Sequence, residues 1–117
     1  MTFADLPEPA GVAAAATAHF VALSRFVIAN GMDAEVKAAF RQRPHRVDDA
    51  PGFVGLQVLC PTDNPQEIWL VTQWRCADDY HAWHHGHTYR DSHRGIPKGL
   101  KLVGSETRIR EFEVVCA

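Results

Sequence analysis

IWLVTQWRCADDYHAWHHGHTYRDSH, residues Ile68–His93, is the stretch whose reading decides the fold. Alternation in Ile68–Trp74 puts Ile68, Leu70, Thr72 and Trp74 on one side of an extended segment and Trp69 on the other. A helix is expected to start near Cys76–Asp78, because Asp78 and Asp79 suit the positive N-terminal end of a helix dipole. Tyr80 and Trp83, three residues apart, share a face of that helix. Gly86 should interrupt it before a further turn over Thr88–His93. Five of the seven histidines lie between His81 and His93, and His93 follows Trp83 by ten residues.

Outward from this stretch the pattern alternates between strand and helix. Phe20–Ile28 reads as a first strand with Phe20, Ala22, Ser24, Phe26 and Ile28 on one face and Val21, Leu23, Arg25 and Val27 on the other. Both faces are mainly apolar, so both should be covered; Ser24 and Arg25 are the polar intrusions. Asn30-Gly31 closes the strand and Asp33 is a candidate N-cap for a helix with Val36, Phe40 and Val47 along its apolar side. Pro44 should kink that helix or change its character. Asp48–Gly52 is turn chemistry, followed by a second strand, Phe53–Leu59, with Val54, Leu56 and Val58 on one face. Pro61–Pro65 is a hairpin loop back to Ile68–Trp74. Beyond His93, Arg94–Gly99 reads as a loop and Thr107–Val115 as the last strand.

The order β-α-β-β-α-β is the ferredoxin-like plan: an α+β fold with an antiparallel sheet and helices on one face. Two apolar sheet faces leave one without helical cover, so a homodimer burying sheet against sheet, a dimeric α+β barrel, is the expected assembly. Residues 1–18, with Pro7, Pro9 and Gly11, are expected to form an extension outside the core, and residues 19–117 the domain.

Composition removes several function classes. At 117 residues the chain has room for one core. With 12 basic and 14 acidic residues the net charge is −2, so there is no electrostatic case for nucleic acid. No apolar run approaches the ~20 residues of a membrane span, and no polybasic block would hold a membrane surface. The N-terminus lacks a basic region ahead of its alanines and carries Asp5 and Glu8, which speaks against a secretory signal; a cytoplasmic location is the default. Cys60, Cys76 and Cys116 form no CxxC pair and suggest a reducing compartment. No phosphate-binding glycine loop, nucleophile elbow or HExxH is present. His81, His84, His85 and His87 offer at most a two-ligand arrangement beside Asp78, and a solvated histidine surface is the simpler reading.

From Phe20 to Val115 the chain resembles the antibiotic-biosynthesis-monooxygenase domains, and within them the IsdG-type heme-degrading monooxygenases. The resemblance rests on Ala50–Leu59 (APGFVGLQVL), on WLVTQW…YHAW over Trp69–Trp83, on the histidine ten residues later, and on Glu111–Val115 (EFEVV). It implies a dimeric ferredoxin-like protein that binds heme between helices and sheet. By motif, His93 would be the axial iron ligand, and its other ring nitrogen should then be held by a carbonyl or carboxylate. Trp83 would press on the porphyrin and distort it. Ser24 falls where the family's heme degraders have an asparagine that organises oxygen chemistry. A serine hydroxyl is shorter than a carboxamide, so this departure bears on turnover more than on heme binding. Arg94 and Lys98 are either loop charges or partners for the heme propionates.

The resemblance implies oxidative opening of heme, as both substrate and prosthetic group, with release of iron and a linear tetrapyrrole. Dioxygen would be the oxidant, and electrons must come from an external donor, an unidentified reductase, because no flavin or nicotinamide motif is present. Two alternatives stand beside it. One is a cofactor-free monooxygenase acting on an aromatic or polyketide-like compound, with His93 or Ser24 only positioning it. The other is a heme-binding or small-ligand-binding protein without turnover.

Overall fold

Four strands and two helices follow in the expected order in the computed structural model, which describes residues 17–43, 46–86 and 96–117. The strands are β1 (Phe20–Val27), β2 (Phe53–Leu59), β3 (Glu67–Trp74) and β4 (Arg108–Glu113); the helices are α1 (Asp33–Arg41) and α2 (Ala77–His84). They form one antiparallel sheet in the order β2-β3-β1-β4, with β1 and β3 central. Among the described residues no helix is long and apolar enough to cross a membrane.

Pairing places the alternating residues on the faces read from sequence. Phe20, Ala22, Ser24 and Phe26 of β1 stand opposite Trp74, Thr72, Leu70 and Ile68 of β3, and this face receives the helices. Ile28 ends β1 as an isolated bridge to Leu102 rather than as a ladder residue. In β2 the expected grouping of Val54 with Leu56 and Val58 does not hold. Phe53 pairs with Trp74 and Gly55 with Gln73, so Val54 is an extra residue at a bulge and Phe53 takes the core-facing place. Its ring meets Trp74 edge-on, 5.6 Å between centroids.

The core is two clusters on one sheet. Around Ile28, Val36 and Ile68, α1 packs with Phe40, Phe26 and Met32. Around Phe20, Ala22, Trp74 and Tyr80, α2 packs with Trp83 and Phe53. Val47, expected on the α1 side with Val36 and Phe40, instead belongs to the α2 cluster. The helix ends at Arg41, ahead of Pro44, and Val47 sits in a separate 3-10 turn, Arg46–Asp49, across the sheet. Asp33 is likewise not the N-cap. Met32 holds that place, and the Asp33 carboxylate accepts a hydrogen bond from Gln66 Nε2 at 2.9 Å. That bond, above all, holds the Asp33 pKa below the ordinary carboxylate range.

Gly52 sets how closely α2 approaches. Its φ is +79°, and a Cβ there would lie 2.0 Å from Asp79 Oδ2 and 2.6 Å from Asp79 Cβ, in the first turn of α2. A Gly52→Ala chain therefore takes left-handed strain of about 1–2 kcal/mol and a collision that only a shift of α2 relieves. Thermal melting should show a Tm lower by on the order of 10 °C; an unchanged Tm would show that α2 tolerates the shift without loss.

The sheet face away from the helices carries Val21, Leu23 and Val27 of β1, Trp69 and Val71 of β3 and Phe112 of β4, by register. Across it Arg25 is clamped. Nη1 reaches Glu106 Oε2 at 2.9 Å and the Glu106 carbonyl at 2.9 Å; Nη2 reaches Glu67 Oε1 at 3.1 Å. Trp69 Nε1 donates to the other Glu67 oxygen at 2.6 Å, and the guanidinium lies 5.8 Å from the indole centroid. The hydrogen bond from Trp69 and then that from Arg25 push the Glu67 pKa below its usual range. A carboxylate whose folded pKa is depressed contributes stability above its unfolded pKa, and that contribution is lost as pH falls through the folded value. Glu67→Gln should therefore flatten part of the acid limb of a Tm-against-pH curve while changing little of its shape at neutral pH. An acid limb identical to wild type would refute this coupling.

Candidate functional site

The two helices pack on opposite ends of the sheet, and Ser24 and Leu70 belong to neither core cluster. Ser24 stands opposite Leu70 on β3 and Ile109 on β4, so its hydroxyl is set between two aliphatic side chains. Here a crevice of about 50 Å³ is lined by Ser24, Leu70, Thr72 and Ile109 from the sheet and by Tyr80, Trp83 and His84 from α2. Thr72 is buried, and its hydroxyl donates to the Ala22 carbonyl at 3.4 Å. A second cavity of about 250 Å³, lined by Asp49, Ala50, Pro51, Asp79, Ala82 and Gly86, lies against Trp83 as well. Trp83 is thus a wall common to both spaces, and Ser24 lines the smaller one.

Trp83 is held by other rings. It packs on Trp74 at 5.5 Å between centroids with 36° between planes, and Tyr80 lies 6.4 Å away. Trp74 has no exposed surface and meets Tyr80 edge-on at 5.7 Å. Such tilted and edge-on pairs fix ring orientation beyond what area burial alone provides. The sequence left Trp74 unassigned; its alternation with Ile68, Leu70 and Thr72 was the signal that it supports Trp83 from below.

The histidines of α2 divide. His81 Nε2 pairs with the Glu111 carboxylate, tying the helix to β4. His84 is half-buried and stacks on Tyr80, 5.4 Å between centroids and 25° between planes. His85 is exposed, at the helix C-cap, with its ring edge-on to His84. Among the described residues no group of three or more side chains is arranged to hold a metal ion.

The remaining expected site residues do not join this crevice within the described structure. His87, His93 and Arg94 lie outside the described residues. Lys98 is exposed, beside Gly99, in a turn whose Gly99 carbonyl accepts from Asn30 Nδ2 at 2.7 Å. That turn sits at the opposite end of β1 from α2, so Lys98 is not brought to Ser24 and Trp83. Arg25 faces the other side of the sheet.

The described residues form an α+β domain with one antiparallel sheet and two helices, and comparison gives the family. Residues 19–95 match the antibiotic biosynthesis monooxygenase family model, and the chain belongs to that family. It is similar to the heme oxygenase (mycobilin-producing) of Mycobacterium tuberculosis, 30% identical over 97 residues, covering 81% of this chain and 88% of that one. It is also similar to a heme-degrading monooxygenase of Shouchella clausii, 29% identical over 73 residues and 60% and 68% of the two chains. Among solved structures, the M. tuberculosis heme-degrader MhuD, with two hemes bound in its active site, superposes with a TM-score of 0.69 at 28% identity. The match covers 84% of this chain and 97% of that chain. SnoaB, a cofactor-independent oxygenase from Streptomyces nogalater, shares the fold with a TM-score of 0.67 at 16% identity, over 86% and 97% of the chains.

Proposed function

We propose that this protein is a heme-degrading monooxygenase that binds heme over the Ser24 crevice and oxidatively opens the macrocycle. The observation that carries the reading is the pairing of Ser24 and Trp83 on one apolar crevice in a chain 30% identical to a mycobacterial heme oxygenase. The crevice chemistry fits a porphyrin: aromatic and aliphatic walls from Trp83, Tyr80, Leu70 and Ile109, with few polar groups set among them.

In this reading His93 would hold the heme iron through its imidazole and Arg94 would pair with a propionate. Trp83, braced by Trp74, would pack against the macrocycle. Ser24 would offer one hydroxyl to the bound substrate and its oxidant. An external reductase supplies electrons, and iron and a linear tetrapyrrole leave. A homodimer forms through the sheet face bearing Leu23, Trp69 and Phe112.

Titration of the apo protein with hemin tests the reading. A saturable Soret band near one heme per chain is expected, followed by its decay under ascorbate in air, in the presence of catalase, with iron release. No specific heme spectrum would overturn the proposal and favour a cofactor-free oxygenase; a stable heme complex without decay would leave a carrier. Because a hydroxyl reaches less far than a carboxamide, Ser24→Asn should raise the decay rate. A rate unchanged or lower would refute the argument from reach.

A further inference from the structure

We infer that the His81–Glu111 pair is a clasp that favours the closed form of the Ser24 crevice and so governs how readily a macrocycle is admitted. The inference rests on the reading of the site just given. The crevice has a volume of about 50 Å³. Pockets that enclose a small-molecule ligand run to about 300–1,000 Å³. A macrocycle in contact with both Ser24 and Trp83 therefore has to part the walls of this space.

The construction of the crevice shows which walls give. Its floor is Ala22 and Ser24 of β1 with Leu70 and Thr72 of β3, two central strands joined by a continuous ladder. Its walls are α2, through Tyr80, Trp83 and His84, and β4, through Ile109. β4 is an edge strand, ladder-paired to β1, and its side chains are exposed. Opening the crevice is thus a separation of α2 from β4.

The His81 imidazole and the Glu111 carboxylate meet across that gap. Glu111 stands two residues from Ile109 on the same face of β4, by its register with Ala22. His81 follows Tyr80 on α2, and His84 lies one turn further on. The His81 ring meets Phe20 edge-on, 6.1 Å between centroids, and lies 5.5 Å from Tyr80, which gives it a fixed direction. A bond so placed is made while α2 lies close to β4 and is lost when they separate. It therefore adds to the cost of admission. The two side chains are 46% and 45% exposed, so water competes for both and the effect is a few-fold one.

Stopped-flow mixing of the full-length apo chain with hemin, followed at the Soret band, tests the clasp. His81→Ala and Glu111→Ala should each raise the association rate about threefold and tighten hemin affinity by the same factor. Removing His81 takes no negative charge from the rim, so its gain cannot come from weaker repulsion of the propionates. Glu113→Ala removes a neighbouring charge on the same face of β4 and should stay within about 1.5-fold of wild type. The double variant should be no faster than either single one, because both remove the same bond. His81→Gln keeps a donor for the carboxylate and should remain near the wild-type rate. Should His81→Ala fail to fold, Glu111→Ala, on the exposed edge strand, carries the test. A rate unchanged or slower in either folded alanine variant, or gains that multiply in the double variant, would overturn the inference. So would an equal gain in Glu113→Ala or in His81→Gln. Failure of the wild-type chain to bind hemin is a separate result, which removes the functional reading itself and this inference with it.

Discussion

Titrated with hemin, a His93→Ala chain is expected to lose most of the Soret band that the wild type develops, with affinity lower on the order of 100-fold, or about 2.7 kcal/mol. An axial bond would be the directional interaction in the proposed pocket, whereas Trp83, Leu70 and Ile109 of the crevice offer non-directional burial. Removing the imidazole should therefore leave weak, spectrally heterogeneous hemin on an intact fold. Free imidazole added to the variant should restore a wild-type-like spectrum, because the vacated coordination position accepts it. His85→Ala is the control, since His85 is exposed at the end of α2. If His85→Ala loses the band and His93→Ala keeps it, the ligand has been assigned to the wrong histidine.

Trp74→Ala should be the most destabilising single change in the described structure. Trp74 is fully buried and touches Phe53, Tyr80 and Trp83, so its removal leaves a cavity under α2 that no neighbour is placed to fill. Substitutions of this kind cost about 3–5 kcal/mol, a large share of the 5–15 kcal/mol typical of a whole domain. Trp74→Phe should cost much less. It keeps a ring in place and removes Nε1, a buried donor with no hydrogen-bond partner among the described residues, whose relief is worth about 1–3 kcal/mol. Urea denaturation should rank the chains wild type, Phe, Ala in falling midpoint, with Phe near wild type. Equal losses for Phe and Ala would mean that ring packing is not what Trp74 provides.

Much of this architecture is legible in the sequence because it depends on periodicity. The faces of β1 and β3 follow from period-two alternation, and the registers Ser24 with Leu70 and Phe20 with Trp74 obey it. What escaped depends on events that periodicity does not encode. The Val54 bulge moves Phe53 into the core by inserting one residue, and nothing in Phe53–Leu59 marks where the insertion falls. Val47 fits the α1 stripe at helical spacing, yet the helix stops at Arg41 and carries Val47 to the other cluster. Ser24 and Trp83, singled out by motif, line one crevice, whereas nothing in the sequence set His84 apart from His81, His85 and His87. Among the described histidines, the stack on Tyr80 and a place on the crevice separate it from His81 and His85.

The division of the core into two clusters has a consequence for how the molecule opens. A helix seated on its own cluster can detach without dismantling the other, so α1 and α2 should exchange amide hydrogens with separate opening free energies rather than as one cooperative unit. The sheet between them, at Ser24 and Leu70, is the seam of the molecule. A rigid plate laid across that seam would splice two independent halves into one, and the gain would be read in the slowest-exchanging amides of both helices at once.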